Sequence, residues 1–269
     1  MPHPSRTQKI LAALVALLAV AVIAAVSYRL GHDTPSTSSS SPTGAPTTTP
    51  SGSSPSPAPG SPSTGSSTSG LPQGPARAGE GGHMTGPAGL PLGYDHTETG
   101  AVEAATNYLM WMNSIRIKDK NTADAMATAT AADEKTRNAM IASFDDLRTG
   151  LDNVSEAQTE ASRGAYAVAD VSSSAASIYV WAPYVLTDVA GETVTAWGIF
   201  EIRLLWAEDW KLDGALISRI GGAAVEPADP SGNPTPSEKQ DILSRTPADP
   251  GEITDSADQP WFEYANAPR

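Results

Sequence analysis

The sequence predicts an α+β domain, in which N-terminal helices pack on a curved antiparallel sheet of about four strands. Two observations predict this class. Apolar residues recur at helical spacing between residues 100 and 151, and beyond Ser162 the apolar period changes to two. Helices followed by a meander of long strands are typical of folds in which the helices cover one face of the sheet. One transmembrane helix and a disordered linker are expected ahead of this domain.

Two helices are expected at the start of the domain. In the first, from about residue 100 to 115, small and apolar residues recur three or four positions apart, with Thr99 as the N-cap. Polar residues 116–122 break this pattern, and an Ala- and Thr-rich stretch follows. The second helix begins near Ala132 and reaches about residue 151, with two acidic residues at its positive end.

Four strands are predicted after the helices, at residues 165–172, 176–186, 193–206 and 210–217. The third gives the clearest signal, because apolar and mixed positions alternate over its whole length. Within the second, Pro183 has no N–H for a sheet ladder and predicts a bulge or a strand edge. The folded domain is therefore placed at residues 90–223.

The composition excludes several classes of chemistry. The chain has 269 residues, a formal net charge of -13 and no cysteine. The missing cysteine excludes disulfides, thiolate metal sites and a thiol nucleophile. The acidic balance argues against direct nucleic-acid binding, which needs a basic surface to neutralise phosphates. The sequence also contains neither a phosphate-binding Gly-rich loop nor a Gly-x-Ser-x-Gly motif, so we expect no cofactor.

An uninterrupted apolar run near the N-terminus predicts a membrane anchor. Residues 10–30 approach the about 20 residues that span a hydrocarbon core. Arg6 and Lys9 precede the run and only Arg29 follows it closely, which favours a cytoplasmic N-terminus at residues 1–9 and an extracytoplasmic C-terminal domain. The expected location is thus the cell membrane, with a single pass. The alternative is a cleaved signal peptide, because the run is Ala-rich.

Two low-complexity segments flank the predicted domain. Residues 31–89 are rich in Ser, Thr, Pro and Gly and have too little apolar surface to offset the entropy of ordering, so we expect a disordered linker. The extension at residues 224–269, called the tail below, is acidic and Pro-rich, yet it carries three aromatic residues near its end. Residues 235–238 (Thr-Pro-Ser-Glu) form a capping box that predicts a short helix. We expect the tail to dock partly on the domain.

Few residues are candidates for catalysis, and the chain is predicted not to be an enzyme. His96 is the only histidine that borders the domain, so neither a metal site nor a Ser-His-Asp triad is expected. Paired acids, such as Glu208 and Asp209 in a predicted turn, are interpreted as solvated. The one combination that merits a test is Asp170 with Tyr179 or Tyr184, because isomerase chemistry can operate with one buried Asp and one Tyr.

An aromatic patch is expected on the predicted strands. Tyr179 and Trp181 share the face opposite Ile178 and Val180, and Trp197 lies on the mixed face of its own strand. If the patch is partly exposed, Tyr179, Trp181 and Trp197 are the candidate partner-binding residues. The sequence leaves open the alternative that helices or the tail cover these rings.

Two stretches carry a resemblance to a known family. Residues 93–98 (Gly-Tyr-Asp-His-Thr-Glu) lead into residues 100–108 (Gly-Ala-Val-Glu-Ala-Ala-Thr-Asn-Tyr), and the long strands end at residues 206–212 (Trp-Ala-Glu-Asp-Trp-Lys-Leu). With the single span and the linker, this order resembles actinobacterial bitopic membrane proteins with an extracytoplasmic cystatin-like, nuclear-transport-factor-like domain. The resemblance implies the scaffold subunit of conjugation and type IV secretion systems, which has no catalytic residues. The long linker and the acidic tail depart from that pattern.

The expected function follows from this placement and resemblance. We expect a non-enzymatic, membrane-tethered interaction or scaffold module of an envelope-spanning conjugal transfer or secretion apparatus. Its expected partners are the membrane and other subunits of a membrane complex, which include a second copy of the chain. The alternative is a ligand-binding or isomerase-like domain of the same fold in lipid or cell-wall metabolism, which a deep pocket containing Asp170 would favour.

Overall fold

The computed structural model describes residues 70–214, 217–221, 224–245 and 260–268. The predicted anchor at residues 10–30 and the first part of the predicted linker lie outside these ranges. Among the residues that are described, no helix combines the length and the hydropathy that a bilayer crossing requires.

The α+β class is confirmed, and within the described ranges three α-helices precede the sheet and a fourth lies in the tail. The helices are α1 (Glu98–Met112), α2 (Lys120–Thr130), α3 (Glu134–Gly150) and α4 (Pro236–Arg245). The strands are β1 (Met84–Thr85), β2 (Pro91–Leu92), β3 (Val154–Thr159), β4 (Ala165–Val171), β5 (Ala175–Asp188), β6 (Thr193–Trp206), β7 (Trp210–Leu212), β8 (Ile217–Gly221) and β9 (Trp261–Phe262).

Two long strands form the centre of a seven-stranded antiparallel sheet. Strands β5 and β6 pair over their whole length, from Ala175 opposite Leu205 to Thr187 opposite Thr193. The other edge of β5 pairs first with β4 and then with β3, and the other edge of β6 pairs with β7 and β8. The short β9 extends the sheet beyond β4. A separate pair, β1 with β2, precedes α1.

The main core lies between the sheet and helices α1 to α3, on what we call the inner face. Alternate residues of β5 and β6 project into it because side chains along a strand point to opposite sides. These buried residues include Ile178, Val180, Ala182, Tyr184, Leu186, Phe200, Ile202 and Leu204 from the sheet, and Val102, Ala105, Leu109, Met126, Met140 and Phe144 from the helices. The division of faces predicted from the alternation is therefore the one observed.

The helix starts are fixed by side-chain caps. Thr97, rather than Thr99, is the N-cap of α1, since its Oγ1 accepts a hydrogen bond from the Gly100 N–H at 3.0 Å. Asp133 caps α3 by accepting from the Thr136 N–H at 2.6 Å. Helix α2, to which the sequence analysis assigned no element, is capped by Asp119 in the same way. Its buried residues, Ala123, Met126, Ala127 and Thr130, recur at helical spacing, but most of them are small or polar and so give little apolar signal.

The sheet has more strands than the predicted four, for three reasons. Strand β3 contains a register shift next to Val154, so its buried residues do not follow a period of two. The strand predicted at residues 210–217 is split into β7 and β8, with Gly214 between them at φ +93°, a conformation that favours glycine. Strand β9 lies in the tail, outside the predicted domain.

Pro183 lies inside β5 without a bulge. The register with β6 continues through it, with Pro183 opposite Trp197. On the other edge, Pro183 falls between the part of β5 that pairs with β4 and the part that pairs with β3. The absent N–H of proline therefore costs no ladder hydrogen bond, because a short 3-10 turn at Ala161–Arg163 faces this point.

The predicted linker boundary at residue 89 is too late. Residues 70–78, which we call the lead-in segment, already belong to the domain, and Ala76 is fully buried. They are held by backbone hydrogen bonds to the end of the tail: Glu263 N–H to Pro72 O at 2.9 Å, and Ala265 N–H to Ala76 O at 2.8 Å. Such backbone pairing leaves no apolar period in the sequence, so composition alone placed this segment in the linker.

Candidate functional site

The candidate site is the outer face of the sheet, which points away from helices α1 to α3. In the β5–β6 ladder, Trp181 lies opposite Ile199 and Tyr179 lies opposite Glu201. Residues that face each other across an antiparallel pair project to the same side. The outer face therefore has an aromatic half around Trp181 and Trp197 and a polar half that begins at Glu201.

The aromatic half is built around two tryptophans. The rings of Trp181 and Trp197 lie 4.3 Å apart, centre to centre, at an angle of 34°. Each indole N–H is satisfied by a carbonyl of the chain after β8: Trp181 Nε1 donates to Val225 O and Trp197 Nε1 donates to Pro230 O, both at 2.9 Å. The polar atoms of both rings are thus committed within the protein.

The tail covers the aromatic half. Val225, Ile242 and Leu243 are buried in one cluster with this face. The other buried members of the outer-face cluster are Ala165, Ala167, Tyr179, Trp181, Trp197 and Ile199. The N-cap half of the predicted capping box is present, since Thr235 Oγ1 accepts from the Glu238 N–H at 3.2 Å, and Glu238 Oε1 accepts from the Ala228 N–H at 2.8 Å.

The aromatic patch is buried, so the partly exposed patch on which the partner-binding assignment depended is not observed. Tyr179 is 7% exposed, Trp181 is fully buried and Trp197 is 1% exposed. Their alternation places them on the outer face as expected, but apolar residues of the tail exclude solvent from them. Of the two alternatives that the sequence left open, cover by the tail is the one observed.

The polar half of the outer face contains a buried carboxylate that the sequence analysis missed. Glu201 is 4% exposed. Its Oε1 accepts from Ser177 Oγ at 3.3 Å and from Arg203 Nε at 2.8 Å. Arg203 itself is 43% exposed, so this ion pair connects the covered part of the face with solvent. A Glu between apolar residues, two positions from an Arg on the same face, was the available signal.

The acid and phenol considered for isomerase chemistry do not converge in one pocket. Asp170 is exposed, whereas Tyr179 and Tyr184 are both buried. The two tyrosines also belong to different clusters, Tyr179 to the outer face and Tyr184 to the inner face. Burial raises the pKa of the Tyr184 phenol, which keeps it protonated at neutral pH.

His96 has a structural position at the edge of the domain. Its ring stacks on Trp206 with centroids 3.9 Å apart and 9° between the planes, and its Nε2 lies 2.8 Å from Ser173 O. The neighbouring Asp95 contributes its backbone carbonyl to the indole N–H of Trp210 at 3.0 Å. These contacts join the loop before α1 to the β6–β7 hairpin. In the part of the chain that the structure describes, no group of three metal-ligating acids or histidines occurs.

Asp209 is buried, which corrects the interpretation of the turn acids as solvated. Its carboxylate accepts from three backbone N–H groups, those of Gly93, Tyr94 and Trp210, each at 2.9 Å. Glu208, its neighbour, is exposed with φ +63°. The carboxylate of Asp209 therefore fastens the segment before α1 to the β6–β7 turn, and it is occupied by these structural contacts.

The fold and the outer face define an α+β domain whose sheet is covered on both sides, by helices on one and by its own tail on the other. The chain belongs to the family described as Domain of unknown function (DUF8175), whose family model matches residues 31–226. Neither the curated proteins nor the solved structures contain a match to the chain. Helix α4 and strand β9 lie beyond the matched range.

Proposed function

We propose that the chain is a non-enzymatic protein-interaction module that is tethered to the cell membrane by residues 10–30. The apolar run and the charges that flank it support the anchor, with the domain on the extracytoplasmic side. The Ser/Thr/Pro/Gly-rich composition of the predicted linker supports a spacer between membrane and domain. In this arrangement, the domain presents its exposed surfaces to other envelope proteins.

The observation that supports the non-enzymatic proposal is that several buried polar groups are committed to hydrogen bonds within the chain. Tyr108 Oη donates to Trp210 O at 2.8 Å, and Tyr264 Oη shares a 2.9 Å hydrogen bond with Thr106 Oγ1. Asp209 is saturated by backbone N–H groups, and Asp170 lies at the surface apart from the inner tyrosines. A general acid or base must reach a reacting atom in a pocket, and these groups face other parts of the chain instead.

Residues 93–108 and 206–212 resemble the scaffold subunits of conjugation and type IV secretion systems. This resemblance extends the proposal to a class of assembly. Helices that precede a meander of long antiparallel strands support a cystatin-like, nuclear-transport-factor-like classification of the domain. On this basis we assign the chain to the scaffold subunits of an envelope-spanning conjugal transfer or secretion apparatus. Self-association or contact with other subunits is then its activity.

The proposal is tested by photo-crosslinking in whole cells. A photoreactive amino acid replaces Leu205, which is 37% exposed on the outer face beyond the tail. The matched control carries the same group at Thr64 in the predicted linker. We expect a partner protein of the envelope to be captured from position 205 and not from position 64, in a membrane fraction that contains the full-length chain. Recovery of the monomer alone, or of a chain in culture fluid that lacks its first thirty residues, would contradict the proposal.

A further inference from the structure

We propose that helix α4 and residues 260–266 form one latch, which opens as a unit and controls both the outer face and the lead-in segment. The inference concerns the described domain and stands whether or not the proposed function is correct. It follows from one buried ion pair, one backbone ladder and the limits of the family match.

The ion pair joins the two parts of the latch. Lys239 of α4 is 2% exposed, and its Nζ lies 2.8 Å from Glu263 Oε1 and 3.3 Å from Gly164 O. A buried ammonium without its carboxylate is strongly unfavourable, because neither water nor a counter-charge replaces the partner. If residues 260–266 leave, Lys239 loses Glu263, and if α4 leaves, Glu263 loses Lys239. Each part therefore stabilises the other.

The backbone ladder extends the latch to the lead-in segment. Strand β9 pairs with β4 through Tyr166 and Ala167 on one side. On its other side, residues 263–266 bond the lead-in segment through Gly74 N–H to Glu263 O at 2.8 Å and through Asn266 Nδ2 to Ala78 O at 2.8 Å. The end of the tail thus bridges β4 and the lead-in segment, which is also held by the hydrogen bond from the Arg77 N–H to Glu103 Oε1 of α1 at 3.2 Å.

The family model matches the surface that the latch covers, but it does not extend to the latch itself. The outer-face residues of β4, β5 and β6 lie inside the matched range, residues 31–226, whereas α4 and β9 lie outside it. Both regular elements of the latch are short. Helix α4 has 10 residues and β9 has two, and helices of this length do not persist without tertiary contacts. Such segments are the first to open in native proteins.

Opening has two consequences at once. It removes Ile242, Leu243 and Trp261 from the outer-face cluster, so that solvent or another molecule reaches the aromatic half of the sheet. It also removes the hydrogen bonds that the tail makes to the lead-in segment, whose nine residues span about 30 Å when extended. Access to the outer face and the length of the chain between domain and linker are thereby coupled.

Native-state hydrogen exchange of the full chain in membrane-mimetic detergent tests the latch. The probes are the amides of Glu263, Gly74 and Ala265 in the ladder, those of α4, and those of the β5–β6 ladder. We expect the first two groups to share one opening equilibrium constant and one denaturant dependence, with β5–β6 at least about tenfold better protected. Separate opening of α4 and the ladder would overturn the proposal, as would exchange of all three groups in a single global step.

A variant pair gives the second measurement. Lys239→Gln removes the buried charge, and we expect exchange at α4 and at the three ladder amides to accelerate by the same factor, about tenfold or more, with β5–β6 unchanged. Arg245→Gln, at the exposed end of the same helix, removes only the surface pair with Asp241 and is expected to leave the ladder amides unchanged. Acceleration of α4 alone in Lys239→Gln, or no acceleration, would overturn the latch. If Lys239→Gln does not fold, the exchange pattern of the unmodified chain decides.

Discussion

At the scale of single residues, the cap of α3 makes stability depend on pH. The Thr136 N–H hydrogen bond holds the pKa of the Asp133 carboxyl below its ordinary value. A lowered pKa stabilises the folded protein above the ordinary pKa, and this contribution is lost as the pH falls through the lowered value. We expect Asp133→Asn, which keeps an N-cap acceptor that does not titrate, to lose less stability on acidification than the unmodified chain.

The measurement is the free energy of unfolding in urea between pH 7 and pH 3. The difference in the free energy of unfolding between the unmodified chain and Asp133→Asn should become smaller below roughly pH 4. Thr128, exposed on α2, provides a control site: Thr128→Ser leaves every cap in place and should follow the unmodified chain at each pH. Parallel curves for all three proteins would contradict this account of the cap.

The residue scale is also where sequence reasoning is weakest. Asp209 carries the same charge as the solvated acids around it, and no local pattern distinguishes it. Asp209 is buried where its carboxylate accepts from the N–H of the next residue, Trp210, and from two N–H groups of one distant segment, those of Gly93 and Tyr94. Such convergence exists only after folding, so an acid in a turn is read as exposed unless its partners are known.

At the scale of elements, α1 is enclosed rather than amphipathic. Eleven of its 15 residues are buried, among them Gly100, Ala104 and Ala105. Because a packed interior has no room for extra methylene groups, we expect Ala105→Leu to destabilise the domain by about 1–3 kcal/mol. Ala125→Leu on the exposed side of α2 adds the same atoms and should stay within about 0.5 kcal/mol. Chemical denaturation of both variants measures the difference, and equal effects would refute the enclosure of α1.

The long strands are predictable for a physical reason, whereas the short elements are not. Strands β5 and β6 bury one face against helices, which imposes alternation on 14 residues each. Strand β3 contains a register shift, and β9 is two residues long and gains its hydrogen bonds from β4 and the lead-in segment. Neither leaves a periodic signal, since their pairing depends on residues far away in the sequence.

At the scale of the whole molecule, the end of the tail contributes to the stability of the domain. Tyr264 is fully buried, stacks near Tyr166 and bonds Thr106. Deletion of residues 258–269 removes this side chain and the ladder of β9. We expect the melting temperature to fall by on the order of 10 °C, because the loss of one buried aromatic ring costs about 3–5 kcal/mol.

A shorter deletion provides the control. Removal of Pro268 and Arg269 leaves Tyr264, β9 and Asn266 in place and should not change the melting temperature. The comparison is made by thermal unfolding of the full-length chain and the two truncated chains under identical conditions. An unchanged melting temperature after the longer deletion would contradict the docked tail.

Docking of the tail was predictable, and cover of the aromatic rings by the tail was one of the alternatives that the sequence left open. Three aromatic residues in an acidic segment indicate burial somewhere, and the capping box indicates a helix. The aromatic patch at Tyr179, Trp181 and Trp197 and the apolar residues of the tail are two halves of one interface. The structure shows that the tail excludes solvent from the patch and that the patch provides the surface on which the tail is buried.

The lead-in segment and the last residues of the chain run side by side in the same direction, with Gln73 paired in parallel with Glu263. A force applied at opposite ends of two such strands slides one along the other and loads all their hydrogen bonds together, whereas peeling breaks them one at a time. If the membrane holds one strand and a partner grips the C-terminus, the domain is therefore pulled in its mechanically stronger direction.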